Sequence, residues 1–235
     1  MNSSLFRRAL VMFLDVLFPS RCCSCGADTT RDRAVLCRTC LDSIPVHSAF
    51  FCPVCSGRIP NPAVRCHRPS FLATAAASYD DPVVRELVRV LKYKGVRSAA
   101  LPLGTLIVRH LELAAPHGYF DGAVVVPIPL GAQRARTRGY NQAEEIAKAV
   151  ADELRLPLLP ALLRRVRHTA PQTEVGSREG RLKNVLGSFA AENVRGKSIV
   201  LVDDVYTTGA TMGEAVTTLT AAGALRVVAV AAARA

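Results

Sequence analysis

The spacing of apolar positions changes repeatedly along the chain, and each change marks a strand giving way to a helix. Ile199-Val200-Leu201-Val202 is a run of four large apolar residues, three of them β-branched. Such a run predicts a strand buried on both faces, as in a parallel sheet. Asp203 and Asp204 close it, small and hydroxylated residues follow, and Met212, Val216 and Leu219 then recur at helical spacing. Residues 122–129 form a second continuous apolar run, followed by a helix with Ala143, Ile146, Ala147, Val150 and Leu154 on one face. Residues 72–79 read as another strand. After Asp80-Asp81-Pro82 comes a helix whose face is Val83, Leu87, Val90 and Leu91 and which stops at Lys92-Tyr93-Lys94-Gly95, with Pro at its start and cations and Gly at its end. A largely buried helix over 98–113 and a last strand over 227–231 complete the pattern. Strands alternating with helices predict an α/β domain built on a parallel sheet.

Upstream of residue 70 the pattern is different. All eight cysteines lie between Cys22 and Cys66, and none follows. Cys22-x-x-Cys25 and Cys37-x-x-Cys40 are separated by eleven residues, a spacing that suits one tetrahedral four-thiolate zinc site. Cys23 is a spare thiol or an alternative ligand. Cys52-Pro53-Val54-Cys55 is followed by Cys66-His67. Three thiolates and an imidazole either complete a second zinc site or form a degenerate knuckle without metal, since adjacent ligands are awkward. With few large apolar residues, this stretch needs such staples to fold. The paired motifs point to metal in a reducing compartment rather than to a secreted disulfide scaffold.

The first 18 residues predict an amphipathic helix that packs on the protein or a partner. The apolar part is short, holds Asp15, and leads into Pro-Ser-Arg-Cys rather than a small-residue cleavage site. No stretch predicts a membrane span. The organisation expected is therefore 1–18 amphipathic helix, 19–70 zinc ribbon and 71–235 α/β domain, with a cytoplasmic location. Across 235 residues the formal net charge is +11, which favours anionic partners such as phosphorylated small molecules or nucleic acid. Trp is absent and aromatics are few, so a broad base-stacking platform is poorly supplied.

The candidate chemistry gathers where the central strand ends. The backbone amides and hydroxyls of Thr207, Thr208, Gly209, Ala210 and Thr211 suit a monophosphate at a helix start, and Gly209 allows close approach and positive φ. Asp203 and Asp204 repel phosphate but suit sugar hydroxyls or hydrated Mg²⁺. A phosphate, a polyol and a metal together describe a phosphorylated ribose. After the 122–129 strand, Arg134, Arg136 and Arg138 fall within five residues and predict a pyrophosphate loop. Residues 162–173 read as a basic strand opening into a polar loop, and 177–185 as a helix, together a mobile cover over the site. His168 within it is either a proton donor or an ordinary loop histidine. Phe189 begins an edge region.

The stretch from Ser198 to Thr211 resembles the phosphoribosyl pyrophosphate motif of type I phosphoribosyltransferases. The resemblance implies 5′-phosphate binding by 207–211 and ribose contacts from Asp203 and Asp204. Three further stretches look like the ComF/GntX family: Leu91-Lys92-Tyr93-Lys94-Gly95; Val126-Pro127-Ile128-Pro129 with Arg138-Gly139-Tyr140-Asn141-Gln142-Ala143; and Arg165-Val166-Arg167 with Thr169, Pro171-Gln172 and 178–184. That resemblance implies a type I phosphoribosyltransferase fold, a parallel sheet flanked by helices, with a small N-terminal zinc-ribbon domain. It also implies a role linked to natural competence, during uptake of single-stranded DNA and alongside a helicase-like partner. Where that family has another Cys-x-x-Cys, this chain has only Cys66-His67. Two readings follow. An enzyme would use Mg²⁺ and phosphoribosyl pyrophosphate, transferring the ribosyl group to an acceptor that no residue identifies. A binding module would keep the phosphate pocket and hold single-stranded DNA or a competence partner.

Overall fold

A computed structural model describes residues 20–30, 34–64, 66–67, 71–166 and 185–235. The expected helix over 1–18, His168, the basic segment beyond residue 166 and all but the last residue of the expected 177–185 helix lie outside them. The central sheet has six strands in the order β2-β1-β3-β8-β7-β4. These are β1 (Phe50–Phe51), β2 (Arg58–Ile59), β3 (Leu72–Ser78), β4 (Val124–Pro127), β7 (Ser198–Tyr206) and β8 (Arg226–Arg234), while β5 (Leu163–Arg165) and β6 (Phe189–Ala191) form a separate antiparallel pair. Strands β3, β8, β7 and β4 run parallel. The uninterrupted apolar runs are explained by burial on both faces: Ile199, Val200, Leu201 and Val202 are each at most 1% exposed.

The helices are α1 (Arg38–Asp42), α2 (Pro82–Tyr93), α3 (Ala100–Ala114), α4 (Ala132–Arg138), α5 (Gln142–Leu154) and α6 (Ala210–Ala221). Helix α2 starts as its sequence dictates, with Asp81 accepting from the backbone N–H of Val83 and Val84 and Pro82 at the first position. Helices α2, α3 and α5 bury their apolar stripes on one face of the sheet, and α6 packs Met212, Ala215, Val216 and Leu219 on the other. Gly104 brings α3 onto α5: a Cβ there would lie 2.5 Å from the Ala149 Cβ.

Both edges of the parallel part of the sheet are covered. The segment after α5 shields β4, with Val125 N–H donating to the Pro157 carbonyl (2.8 Å) and Leu159 N–H to that of Val125 (2.9 Å). At the opposite edge β1 pairs antiparallel with β3, Phe51 opposite Ala73. Residue 70 thus divides two kinds of sequence without dividing the sheet. Because successive strand residues face opposite ways, Phe50 packs among Cys52, Ile59 and Ala114 while Phe51 packs among the residues around α6. The first cysteine unit docks elsewhere: Cys22, Leu36 and Ile44 join the core on the α2/α3 side, and Arg109 of α3 holds Asp42 at 2.9 Å.

Three elements differ from the sequence reading. The expected Arg loop contains helix α4, a seven-residue stretch of Ala, Gln, Arg and Thr that begins after Gly131 and ends at Gly139 with φ +73°. Strand β7 does not close at the acidic pair, because its ladder with β8 continues through Asp203 opposite Ala231 and Val205 opposite Ala233. The helix expected over 98–113 begins as a 3-10 turn at Arg97–Ala99 and becomes α-helical at Ala100.

His110 is fully buried on α3. Its ring lies between the Thr74 hydroxyl of β3 and, at 2.6 Å, the His47 carbonyl on the approach to β1. Burial pushes its pKa down to about 4, so the folded protein holds it neutral. As pH falls from about 6.5 towards 4 the unfolded chain takes up a proton that the folded chain refuses, and stability is lost over that window. His110→Gln should therefore cost stability at pH 7.5 and progressively less at pH 5, read from urea unfolding of both proteins at matched pH. A pH-independent difference would contradict the buried neutral state.

Candidate functional site

The carboxyl ends of β4 and β7 open into a cleft of about 880 Å³, where ligands bind in open α/β sheets. Asp203 and Asp204 lie at its floor, and 207–211 form one wall. Gly209 takes φ +74° and caps α6 without a side-chain hydrogen bond. A Cβ there would run into Tyr206, coming within 2.6 Å of its ring Cζ. Glycine is thus required twice over, by conformation and by the ring beneath it. The first N–H groups of α6 face the cleft end, as helix geometry requires.

The charges in the cleft are unequal. Its described lining carries four cations, Lys92, Arg134, Arg138 and Arg165, against the two acids Asp203 and Asp204. Lys92 Nζ lies 2.9 Å from Asp204 Oδ1, and the two side chains are only 18% and 14% exposed, so water screens the pair weakly. Asp203 accepts from the Asp204 backbone N–H at 2.8 Å. Burial, and then the adjacent Asp204 charge, push Asp203 up to about 7, against the pull of Lys92 and Arg134. Burial, and then Arg134, disfavour the charged form of Arg165, and Asp203 favours it.

The cations sit on fixed supports. Helix α4 puts Arg134 and Arg138 four residues apart on one face, and both line the cleft. Arg136 is exposed on the far side and is not among the described lining residues. Arg138 donates to Gln142 Oε1 at 2.9 Å. Asn141 caps α5 and donates to the Ile128 carbonyl at 2.9 Å, while Tyr140 donates its hydroxyl to the Leu91 carbonyl. These bonds tie the α4–α5 corner to β4 and to the end of α2. Lys92 reads in sequence as a helix-terminal cation and Arg165 as part of a basic strand; only the fold turns both into the cleft.

The cysteine units each gather four ligand atoms that lie within 4.8 Å of one another: Cys22, Cys25, Cys37 and Cys40 in the first, and Cys52, Cys55, Cys66 and His67 in the second. Tetrahedral zinc with Zn–S near 2.3 Å and Zn–N near 2.05 Å separates ligands by about 3.8 Å (S···S) or about 3.6 Å (S···N). The structure has Cys25 and Cys37 Sγ 3.7 Å apart, Cys55 and Cys66 Sγ 3.6 Å apart, and His67 Nδ1 at 3.5 Å from Cys52 and 3.4 Å from Cys66. The adjacent pair Cys66-His67 therefore does converge with the second knuckle. Burial opposes ionisation of Cys22, but backbone hydrogen bonds from Cys37, Cys25 and Ser24 outweigh it and bring the thiol to about 6. Cys52 likewise reaches about 6 through the Cys55 and Val54 backbones and His67. A partner in each cluster is pushed the other way, Cys40 up to about 12 by burial and Cys66 up to about 11 by its bond with Cys55. Cys23 belongs to neither cluster, and burial pushes it up to about 11.

A double zinc ribbon family model matches residues 13–68 and a phosphoribosyl transferase domain model matches 141–235. The DNA utilization protein YhgH of Salmonella typhimurium is 28% identical over 203 residues, 83% of this chain and 88% of that protein. Competence protein ComFC of Bacillus subtilis is 26% identical over 189 residues, 75% of this chain and 74% of that one. Among solved structures, glutamine phosphoribosylpyrophosphate amidotransferase from B. subtilis is 26% identical over 57% of this chain, with a TM-score of 0.39; the match spans 26% of that chain. The fold is that of a type I phosphoribosyltransferase, preceded by a double ribbon with structural zinc. Within that class, the similarity to competence and DNA utilization proteins, together with the two family models, supports a ComF-family phosphoribosyltransferase-like protein. No helix among the described residues is long and apolar enough to cross a membrane.

The purified protein should carry two zinc ions per chain by metal analysis, and stripping them should lower the unfolding midpoint. One ion per chain would limit the metal to a single ribbon. Gly209→Ala should cost about 1–3 kcal/mol of stability, measured by urea unfolding, because strained φ and the Tyr206 contact act together.

Proposed function

We propose that the cleft binds phosphoribosyl pyrophosphate. The observation that carries this reading is the 207–211 turn, with its left-handed Gly209, beside two carboxylates in a cleft that is otherwise cationic. The 5′-phosphate would take the amides and hydroxyls of Thr207, Thr208, Gly209, Ala210 and Thr211. Asp203 and Asp204 would face the ribose hydroxyls, and their hard oxygens suit Mg²⁺, which would share the charge of the pyrophosphate. Arg134 and Arg138 would hold that pyrophosphate through charge-assisted bonds. Arg136, on the opposite face of α4, is left out of this assignment.

If the bound molecule reacts, the residues act by position and charge. The phosphate turn fixes one end of the ribose and the α4 arginines the other, orienting C1 towards an incoming nucleophile. The acids stabilise positive charge as it grows on the ring, and the arginines stabilise negative charge on the departing group. No described residue stands out as a base for the acceptor. The names of the relatives, a DNA utilization protein and a competence protein, support a role in competence and DNA uptake. Single-stranded DNA and a helicase-like partner belong to that same proposal. The exposed ring of Tyr93, 5.4 Å from the Arg138 guanidinium at the cleft mouth, gives the binding-module reading a surface on which a base could stack.

Calorimetric titration with phosphoribosyl pyrophosphate and Mg²⁺ should show binding that Asp203→Ala/Asp204→Ala removes. Arg134→Ala should weaken it roughly 10- to 100-fold, the worth of one charge-assisted bond, and Arg136→Ala should leave it unchanged. Absence of binding by the folded, zinc-loaded protein would exclude this reading. Affinity for single-stranded DNA that falls steeply with salt would then identify the alternative.

A further inference from the structure

The second ribbon touches the 207–211 turn through two stacked aromatic residues. Phe51, 6% exposed, presents its ring to that of Tyr206 at 4.8 Å and 76°, an edge-to-face contact. Tyr206, equally buried, lies beneath Gly209, so close that no Cβ fits between them. Phe51 also carries the Arg234 guanidinium over its ring, 4.2 Å from the centre, and the Ala235 N–H donates to the Tyr206 carbonyl at 3.0 Å. Phe51 is bonded to Cys52, a buried ligand of the second cluster. The Cys52 N–H donates to the Gly57 carbonyl at 2.9 Å and the Ser56 N–H to that of Cys52 at 2.8 Å, so the knuckle and β1 are one hydrogen-bonded unit. The first cluster docks elsewhere: its buried residue Cys22 joins the α2/α3 side of the core.

Strand β1 is short: it is two residues long, and Phe51 is its residue in register with β3, although the segment before it is pinned by the His47 N–H to the Ala76 carbonyl at 2.8 Å. Strands this short are marginal without a further constraint, and a metal at Cys52, Cys55, Cys66 and His67 would supply one.

We infer that Phe51 is a positioning residue for the 207–211 turn, and that metal in the second cluster holds the turn in its ligand-ready shape through Phe51 and Tyr206. The second ribbon is then a brace for the cleft, and its metal occupancy and the ordering of the turn are linked. Linkage is reciprocal: a ligand that orders the turn also retains metal in the second cluster. The ligand half of this inference rests on the phosphate reading above; the brace itself does not.

The test compares the full-length zinc protein with Phe51→Ala, Phe51→Leu and Cys66→Ser/His67→Ala, the last removing two exposed ligands and leaving Cys52 in place. Three quantities are measured: zinc per chain, amide hydrogen exchange of the 207–213 segment against 199–202 in the same strand and helix unit, and affinity for ribose 5-phosphate. Phe51→Ala should keep its zinc, and the double variant should lose one ion. Both should exchange 207–213 at least tenfold faster with 199–202 unchanged, and both should bind ribose 5-phosphate about tenfold more weakly. Phe51→Leu, which keeps an apolar side chain against Tyr206, should recover most of the protection. In the parent protein, ribose 5-phosphate should slow release of one zinc ion to a chelator. Wild-type exchange of 207–213 in the variant that has lost the second zinc would overturn the brace. So would equal loss of protection in 199–202, which would mean general destabilisation. If the parent protein binds no ribose 5-phosphate, the phosphate reading fails, and the exchange data still decide the brace.

Discussion

Two carboxylates on consecutive residues, in a strand walled by apolar side chains, cannot stand without compensation, and much of this cleft is the means of supplying it. One acid is met directly by Lys92 from the end of α2. The other keeps its proton more tightly than an exposed aspartate would, and is influenced by Arg134 from α4. Those cations hold their places because Tyr140 bonds to the last turn of α2 and Asn141 to the strand before α4. The result is a site in which the acidic pair is met by the protein's own cations, with more positive than negative side chains in the described lining.

The zinc ribbons are built into this arrangement by different attachments. The first rests on the helical layer through apolar contacts and the Arg109–Asp42 pair. The second continues the sheet, and the segment leading to it is fastened by His110, which spans from α3 to the His47 carbonyl. A neutral imidazole serves there because it donates with one nitrogen and accepts with the other, without burying a charge.

The strands were legible in the sequence because burial on both faces leaves an uninterrupted apolar signature, as at Ile199 to Val202. The acidic pair and the small-residue turn were legible because their chemistry is concentrated in adjacent residues. Helix α4 was not, since Gln-Arg-Ala-Arg-Thr-Arg has no apolar stripe to reveal a period, although its residues favour helix. That helix also separates the three arginines in space: Arg134 and Arg138 line the cleft, and Arg136 is exposed outside its described lining. Lys92, Arg165 and His110 went unrecognised for another reason. Their partners are far away in the chain, His110 and the His47 carbonyl being 63 residues apart, and no local pattern encodes such a meeting. The convergence of Cys66 with His67 depended on a turn whose geometry spacing alone leaves open.

The pairing of β1 with β3 also decides what the parallel sheet presents at that edge. The outer strand of the parallel sheet, Leu-Ala-Thr-Ala-Ala-Ala-Ser, is uncharged and lacks proline, and so lacks the devices by which soluble proteins discourage strands of other molecules from adding on. Its shield is the two-residue β1, fastened beside a thiolate. Were that pairing absent, the row of amides and carbonyls on β3 would be open to strands of other molecules. The ribbon segment thus closes the sheet as well as carrying cysteines.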